Sequence, residues 1–371
     1  MVNPLLADTV INIDENRQKV YTAVAGLRFY STHPDSSHLN YEAEIEYYYL
    51  EDHYAFGEHG LDFGFTLGKF IGDWYSNVDL GLELYNRSQA IDTTDNSVIS
   101  ISPSFTKATD EWRFTIGVNS VLDTKGGQTS MSLYPRARFE FNIVENVLIP
   151  YMGVTGDKRI SSYKRLLEKN PFILPGFIAE NEDHGLIGYA GMKGRYSSKM
   201  AFDLRLKYSR IFNFHSFVSD SLFLNPRNQF VVVYDDVDII TAGAEVTWNQ
   251  SEKLKFILRA HYYDYNKDVW HRPDFETSFN ASYNLRDKIL IDANLFYTGQ
   301  RYARLDHGGG VDPEIIELKG YFDGNLKAEY RYTRLLSFFL RLNNFSAGRY
   351  EEWYQYPVQR FQVMAGFTYA L

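Results

Sequence analysis

The chain has 371 residues, of which 44% are hydrophobic and 23% charged, and its formal net charge is −9. This composition excludes a disordered chain, and no stretch reaches the roughly 18 consecutive apolar residues that a membrane-spanning helix needs. The negative charge argues against binding of nucleic acid. Aromatic residues make up 16% of the chain, with 29 Tyr and 27 Phe, and there is no Cys. Tyr and Phe favour β-strands, and Tyr also favours the boundary between membrane and water.

The first residues, MVNPLLADTV, have neither the basic region nor the apolar region of a secretory signal peptide. We interpret residues 1–18 as an N-terminal extension or a first short strand. The remainder, residues 19–371, is predicted to be a single β-domain.

Apolar residues at every second position predict a series of strands, each with one apolar and one polar face. The pattern is clear in residues 203–207, where charged Asp203, Arg205 and Lys207 alternate with two leucines. The same alternation occurs in 40–50, 76–87, 99–105, 255–262, 317–331 and 336–343. The exception is SSYKRLLEKNP, residues 161–171, which predicts a short helix inside a long loop.

One-sided strands build either a soluble β-sandwich or a membrane β-barrel. Strand length favours the barrel, because the predicted strands have about 11 to 16 residues, whereas soluble strands usually have roughly 5 to 6. The polar faces also carry dense charge, which suits a water-filled interior. We therefore predict an all-β fold, a single antiparallel transmembrane β-barrel of about 16 to 18 strands.

The connections between the strands alternate between short and long, as in outer-membrane barrels with short periplasmic turns and longer extracellular loops. Short turns are predicted at 73–76, 109–111, 145–146, 196–198, 250–252, 286–287 and 333–334. Long loops are predicted at 88–96, 159–183, 213–235, 266–272, 300–314 and 346–356.

Charged residues on the polar faces are expected to line the lumen of the barrel. They are Arg136, Arg138, Glu140, Asp203, Arg205, Lys207, Arg259, Glu317, Lys319, Asp323, Lys327, Glu329, Arg331 and Arg341. Both signs are mixed, which argues against a porin whose constriction carries one sign of charge. Two interpretations stay open: ion pairs between neighbouring strands that stabilise the wall, or groups that guide a solute.

The nine His residues raise the question of a metal or catalytic site. Most lie in predicted connections, including His215 and His271, and none has the spacing of a zinc site. His261 lies in a predicted strand without an identifiable nucleophile, so we predict no enzyme activity. Acidic residues beside glycines at 181–185 and 305–314 have the oxygen ligands that calcium prefers, but a solvated loop is the simpler interpretation, and no cofactor is predicted.

The last 30 residues read LNNFSAGRYEEWYQYPVQRFQVMAGFTYAL. This segment resembles the end of the barrel of TonB-dependent receptors. The matching residues are Asn344, Phe345, Tyr350, Trp353, Tyr356, Pro357, Arg360 and Gly366. Gly366, Tyr369 and Leu371 are similar to the C-terminal signal for outer-membrane assembly, although this family usually ends in Phe or Trp. We interpret the aromatic residues of 349–361 as part of an interfacial girdle, and the alternative is a docking surface for a partner.

The resemblance implies a protein of the Gram-negative outer membrane that transports or binds a solute. No segment that resembles the plug domain of the family is found before the predicted strands in this sequence, so a relative without a plug, or a barrel piece of such a receptor, is expected. The alternative is a non-conducting barrel subunit of a larger assembly for export, protein insertion or nutrient capture, and an outer-membrane enzyme is a more distant third. Expected partners are membrane lipid and lipopolysaccharide, the barrel assembly machinery, and outer-membrane proteins or lipoproteins, but no nucleic acid.

Overall fold

The computed structural model describes residues 19–32, 38–53, 55–88, 95–144, 147–220, 229–306 and 312–370. The predicted N-terminal extension, residues 1–18, lies outside them. The strands are β1 Val20–Tyr30, β2 Asn40–Asp52, β3 Gly57–Ile71, β4 Trp74–Ser88, β5 Asn96–Ala108, β6 Trp112–Lys125, β7 Gln128–Phe141, β8 Ile149–Arg159, β9 Glu182–Ser197, β10 Met200–Asp220, β11 Phe230–Asn249, β12 Leu254–Tyr265, β13 Phe275–Leu285, β14 Ile289–Thr298, β15 Arg301–Asp306, β16 Glu314–Leu318, β17 Tyr321–Arg331, β18 Leu336–Asn343, β19 Glu351–Trp353, β20 Tyr356–Pro357 and β21 Gln362–Tyr369. One helix, α1, spans Tyr163–Lys169.

A sheet of 19 strands dominates the fold. Strands β1 to β14 pair antiparallel in chain order, and the order continues through β17, β18 and β21. The remaining two strands, β15 and β16, form a hairpin that touches the end of β10. This meander of 17 strands agrees with the predicted number. Among the described residues, no strand pairing joins β1 to β21.

The two ends of the sheet differ in their connections, as the sequence predicts. Six of the seven predicted short turns join the expected pairs of strands, and the seventh, 145–146, lies outside the described residues. We call this edge the short-turn end and the opposite edge the long-loop end. One connection at the long-loop end is also tight: Gly126 and Gly127 join β6 to β7 with φ values of 56° and 78°. Positive φ at both positions is the geometry of the hairpin turn that favours glycine.

Three predicted boundaries are wrong, and one of them is the predicted loop 300–314, because β15 spans Arg301–Asp306. The predicted loop 213–235 is mostly strand, because β10 and β11 stay paired as far as Ser219 and Phe230. A bulge between Ile211 and Phe214 shifts the alternation by one residue, which hides the continuation of β10 in the sequence. The predicted strand 317–331 is also two strands, since β16 ends at Leu318 and β17 begins at Tyr321.

The two faces of the sheet differ in chemistry. On β10, Leu204 and Leu206 are 43% and 57% exposed, and similar apolar side chains are exposed on most other strands. The opposite face, which we call the inner face, carries the charged rows and packs against α1. A continuous exposed apolar surface of this kind marks contact with a membrane or a partner. No helix in the described part of the chain is long and apolar enough to cross a membrane.

Candidate functional site

Ion pairs cover much of the inner face. Arg136 Nη1 lies 2.8 Å from Asp79 Oδ2, which connects β7 to β4. Glu140 accepts hydrogen bonds from both Arg138 and Lys193, which lie on β7 and β9. Two of these three contacts link different strands across the inner face.

The loop between β8 and β9, residues 160–181, folds over the inner face, and we call it the inner loop. Its helix α1 begins after Ser162, whose hydroxyl accepts a hydrogen bond from Arg165 N at 3.1 Å. The carboxylate of Glu58 on β3 accepts bonds from Tyr163 N at 2.7 Å and Lys164 N at 2.9 Å. A carboxylate at a helix N-terminus satisfies free amide groups and opposes the helix dipole, so Glu58 fixes the start of α1.

Glu58 is fully buried and has two further partners. Tyr48 donates its hydroxyl to Glu58 at 2.8 Å, and Arg87 donates Nε to the other oxygen at 3.0 Å. Arg87 is itself buried and also donates to the carbonyl of Ser161. A buried carboxylate with four donors, one of them a guanidinium, is fully compensated, so it anchors the inner loop to β2, β3 and β4.

The strands beneath α1 are acidic on their inner face, and the helix contributes the opposite charge. Lys164 Nζ lies 3.1 Å from Glu46 on β2, and Arg165 Nη1 lies 2.7 Å from Glu83 on β4. The inner loop therefore docks on the acidic strands through complementary charge.

A second connection, residues 344–361 between β18 and β21, meets the inner loop in an aromatic cluster. Phe172 stacks on Tyr356 with ring centroids 3.6 Å apart. Phe230 of β11 bonds to the inner loop through its backbone and packs its ring against Trp353. Trp353 and Tyr356 therefore pack inward, and the prediction that they lie in an interfacial girdle is wrong. The alternating pattern identifies faces of strands but not the direction in which a loop folds.

A buried polar cluster joins the other end of α1 to the wall. Glu182 is within hydrogen-bonding distance of Nδ1 of His215 and of Nε2 of His184, the latter at 3.3 Å. With Nδ1 donating to Glu182, His215 Nε2 accepts from Lys169 Nζ at 3.0 Å and from Arg272 at 3.3 Å. Within the described ranges no set of three or more His, Asp or Glu side chains is arranged to hold a metal ion.

His271 lies under the second connection, outside the strands. Its Nδ1 is 3.1 Å from the carbonyl oxygen of Phe217, and its Nε2 is 3.3 Å from Tyr354 N. Since Tyr354 N donates, Nε2 accepts and Nδ1 carries the proton. Burial lowers the pKa of His271 to about 4, so the ring is neutral near pH 7.

Nearer the short-turn end of the inner face, strands β10, β11 and β12 form a shallow cavity of about 360 Å³. Its lining includes Asp203, Arg205, Lys207, Glu245 and His261. Three of these five were predicted as lumen residues, and the structure brings them together on one surface.

The structure places the predicted lumen residues in two groups. Those of β7, β10, β12, β17 and β18 lie in strands of the meander. Glu317 and Lys319 instead lie at β16 and just after it, where both are exposed beside buried Leu318. Of the predicted assembly signal, Gly366 lies opposite Phe339 and Tyr369 is 57% exposed on the apolar face, while Leu371 lies outside the described residues.

Sequence patterns do not identify the residues that anchor the inner loop. Glu58 is 105 residues from Tyr163 along the chain, and nothing in either segment links them. The predicted acidic loop 181–185 contributes carboxylates to protein contacts, since Asp183 accepts from Tyr134 and Glu182 pairs with His215. Part of the other acidic loop, 305–314, lies outside the described residues.

Comparison with known proteins gives matches in structure but not in sequence. No protein-family model matches the chain, and no curated protein matches it. The FrpB iron transporter from Neisseria meningitidis, F3-3 variant, superposes with a TM-score of 0.69 at 11% identity over 95% of this chain and 63% of its own. The pyoverdine outer membrane receptor FpvA from Pseudomonas aeruginosa PAO1 superposes with a TM-score of 0.64 at 13% identity over 95% of this chain and 62% of its own.

The copper transporter OprC gives a TM-score of 0.62 at 14% identity over 89% of this chain and 62% of its own. The chain thus spans less than two thirds of the length of these proteins. At such low identity the likeness shows the fold alone, an all-β fold built on one large antiparallel sheet, and the neighbours that share it are TonB-dependent receptors. This agrees with the resemblance in the last 30 residues.

Proposed function

We propose that the protein lies in the Gram-negative outer membrane and binds or transports a solute through the interior enclosed by its inner face. The observation that carries the proposal is the pairing of an exposed apolar face with an ion-paired inner face on the same long strands. The structural neighbours support it, since their names describe iron and copper transporters and a pyoverdine receptor.

In this proposal the inner loop controls access at the long-loop end. It covers the inner face of β2, β3 and β4, contacts β10 and β11, and joins the second connection through stacked aromatic rings. A solute that enters from the long-loop end must pass this closed region. The loop is held by charge and hydrogen bonds as well as apolar contacts, so it undocks at a finite cost.

Planar-bilayer conductance of the full chain tests the proposal. We expect small or rare openings from the wild type, and stable, larger steps when residues 162–179 are replaced by a short Gly–Ser linker. Silence of both proteins, in preparations that shift in mobility on heating as folded barrels do, would overturn the transport proposal.

That outcome would favour the second candidate function, a non-conducting subunit of a larger outer-membrane assembly. The buried cluster under the inner loop, which includes Tyr163, Leu166, Ile173 and Phe230, is the observation in its favour. Co-purification of outer-membrane proteins or lipoproteins with the native protein is its test. Both candidates imply contact with lipid and lipopolysaccharide, and insertion by the barrel assembly machinery through the segment that contains Gly366 and Tyr369.

A further inference from the structure

The cavity on β10, β11 and β12 has the form of a regular grid set by strand register. Lys207 pairs with Thr241, and Thr241 with Tyr263, which makes the first row. The second row is Arg205, Gly243 and His261, and the third is Asp203, Glu245 and Arg259. Side chains opposite each other across strands are about 5 Å apart, so each row is narrow enough for one small ligand to touch all three strands.

The acids of the third row are neutralised by arginine. Asp203 pairs with Arg205 at 3.3 Å and accepts from the Tyr151 hydroxyl at 2.6 Å. Glu245 pairs with Arg259 at 2.8 Å. Both carboxylates therefore have a cationic partner other than Lys207, which is the cation of the first row.

Lys207 has no such partner. Over the described ranges of the chain, its ammonium group makes no hydrogen bond and no ion pair, and the charged groups that act on it are the cations Arg159 and Arg205. His261 makes a ring contact with Tyr263 but, within the same ranges, no hydrogen bond from either ring nitrogen. Two nitrogen groups able to donate therefore face the cavity without acceptors.

Gly243 creates the hollow between these donors. A Cβ at this position would lie 3.3 Å from Cδ2 and 3.6 Å from Nε2 of His261, so a side chain would occupy the space beside the imidazole. Glycine inside a strand weakens the strand, and close approach of another group is a common reason for it. Here the missing side chain opens the centre of the grid.

Acidic and basic residues also occupy different strands of the wider inner face, although both signs are mixed along the sequence. Strands β2, β3 and β4 carry an excess of acids there and are partly covered by α1. Strands β7, β9, β10, β11 and β12 carry an excess of bases there, which include Arg136, Arg138, Lys193, Arg205, Lys207, Lys255 and Arg259 against Glu140, Asp203 and Glu245. The basic strands thus attract anions within a chain whose net charge is −9.

We propose that the grid is a binding site for an oxyanion group, a carboxylate or phosphate, carried by a solute in the interior. Lys207 supplies the positive charge that pairs with the oxyanion, and His261 and Thr241 donate hydrogen bonds to it. Arg205 stays paired with Asp203 and adds to the positive electrostatic potential of the site. The inference rests on the proposed function only in that the inner face must be open to solutes.

Isothermal titration of the detergent-solubilised full chain with citrate or inorganic phosphate tests the site without any need for transport. The matched variants are Lys207→Met and Lys255→Met. Lys255 lies on the inner face of β12, below the grid, and within the described ranges makes no ion pair. We expect wild type and Lys255→Met to bind one anion alike, and Lys207→Met to bind roughly tenfold more weakly because a charge-assisted contact is lost.

Comparison of the two anions shows which oxyanion the site prefers, and binding of either anion supports the proposed site. Three results would overturn the inference: no binding of citrate or phosphate to the wild type, equal weakening by Lys207→Met and Lys255→Met, or unchanged affinity in Lys207→Met. None of these bears on conductance after loss of the inner loop, so this site and the proposed function fail separately.

Discussion

Replacement of Glu58 is the perturbation that most specifically tests the docking of the inner loop. Glu58 is fully buried and accepts bonds from Tyr48, Arg87, Tyr163 and Lys164 at 2.7 to 3.0 Å. In Glu58→Ala, the Arg87 charge and the amide groups at the start of α1 lose their acceptor.

Removal of one partner of a buried ion pair costs roughly 3 to 5 kcal/mol. Most of this cost falls on the docked state, because Arg87 and the amide groups of α1 regain water when the loop leaves the wall. Each 1.4 kcal/mol changes an equilibrium about tenfold, so the undocked population is expected to rise by about two to three orders of magnitude. Glu58→Gln keeps the shape and one carbonyl oxygen, so we expect a smaller shift in the same direction.

Hydrogen exchange of the folded protein in detergent measures this directly. We expect faster exchange in residues 162–170 of Glu58→Ala, with unchanged protection in β13 and β14. The control is Glu44→Gln on β2, an exposed carboxylate which, among the described residues, has no contact with the loop. Unchanged exchange in α1 of Glu58→Ala, or equal changes in the control, would refute the role of Glu58 as anchor.

Three further predictions concern the second connection, the last strand and the inner loop. His271 is neutral in the folded protein, where its pKa is lowered to about 4, whereas in the unfolded chain the ring takes up a proton near pH 6.5. The contribution of the neutral ring to the free energy of unfolding is therefore complete above about pH 6.5 and falls by roughly 3 kcal/mol towards pH 4. Protease resistance of the second connection should fall over that range and do so less in His271→Asn; an identical pH profile in the variant would contradict this. Gly366→Val places a Cβ about 2.6 Å from the ring of Phe339, so we expect a loss of about 1 to 3 kcal/mol in urea unfolding, and no comparable loss in Ala365→Val on the opposite face. Phe172→Ala removes the half-buried stacked ring that joins the two connections, and we expect it to lower stability by about 1 to 2 kcal/mol, less than for a fully buried ring, and to speed exchange in 344–361. Unaltered exchange there would show that the two connections are independent.

The strand order and the alternation of turns could be predicted from the sequence because both depend on local patterns. Period-two alternation identifies the faces of β10, and short polar segments such as 250–252 identify the turns. The short helix in 161–171 was also predictable, since its apolar residues follow helical rather than alternating spacing. These features need no information about distant parts of the chain.

The contacts across the interior could not be predicted in this way. Glu58 meets Tyr163, and Phe172 meets Tyr356, only because the sheet brings distant strands around the inner loop. The bulge after Ile211 also defeats the alternating pattern, since one extra residue reverses the face of every later side chain. Segregation of acids from bases becomes visible only when strand positions on the sheet are known.

The central claim is that the apolar face of the long strands contacts lipid while the charged face encloses an aqueous interior. The chain has no Cys, so single Cys substitutions at each of positions 203–207 allow site-specific nitroxide labelling in lipid vesicles. We predict high accessibility to oxygen at Leu204 and Leu206, and high accessibility to a water-soluble nickel chelate at Asp203, Arg205 and Lys207. Equal accessibility at all five positions, or a purified chain that stays monodisperse without detergent, would contradict the account.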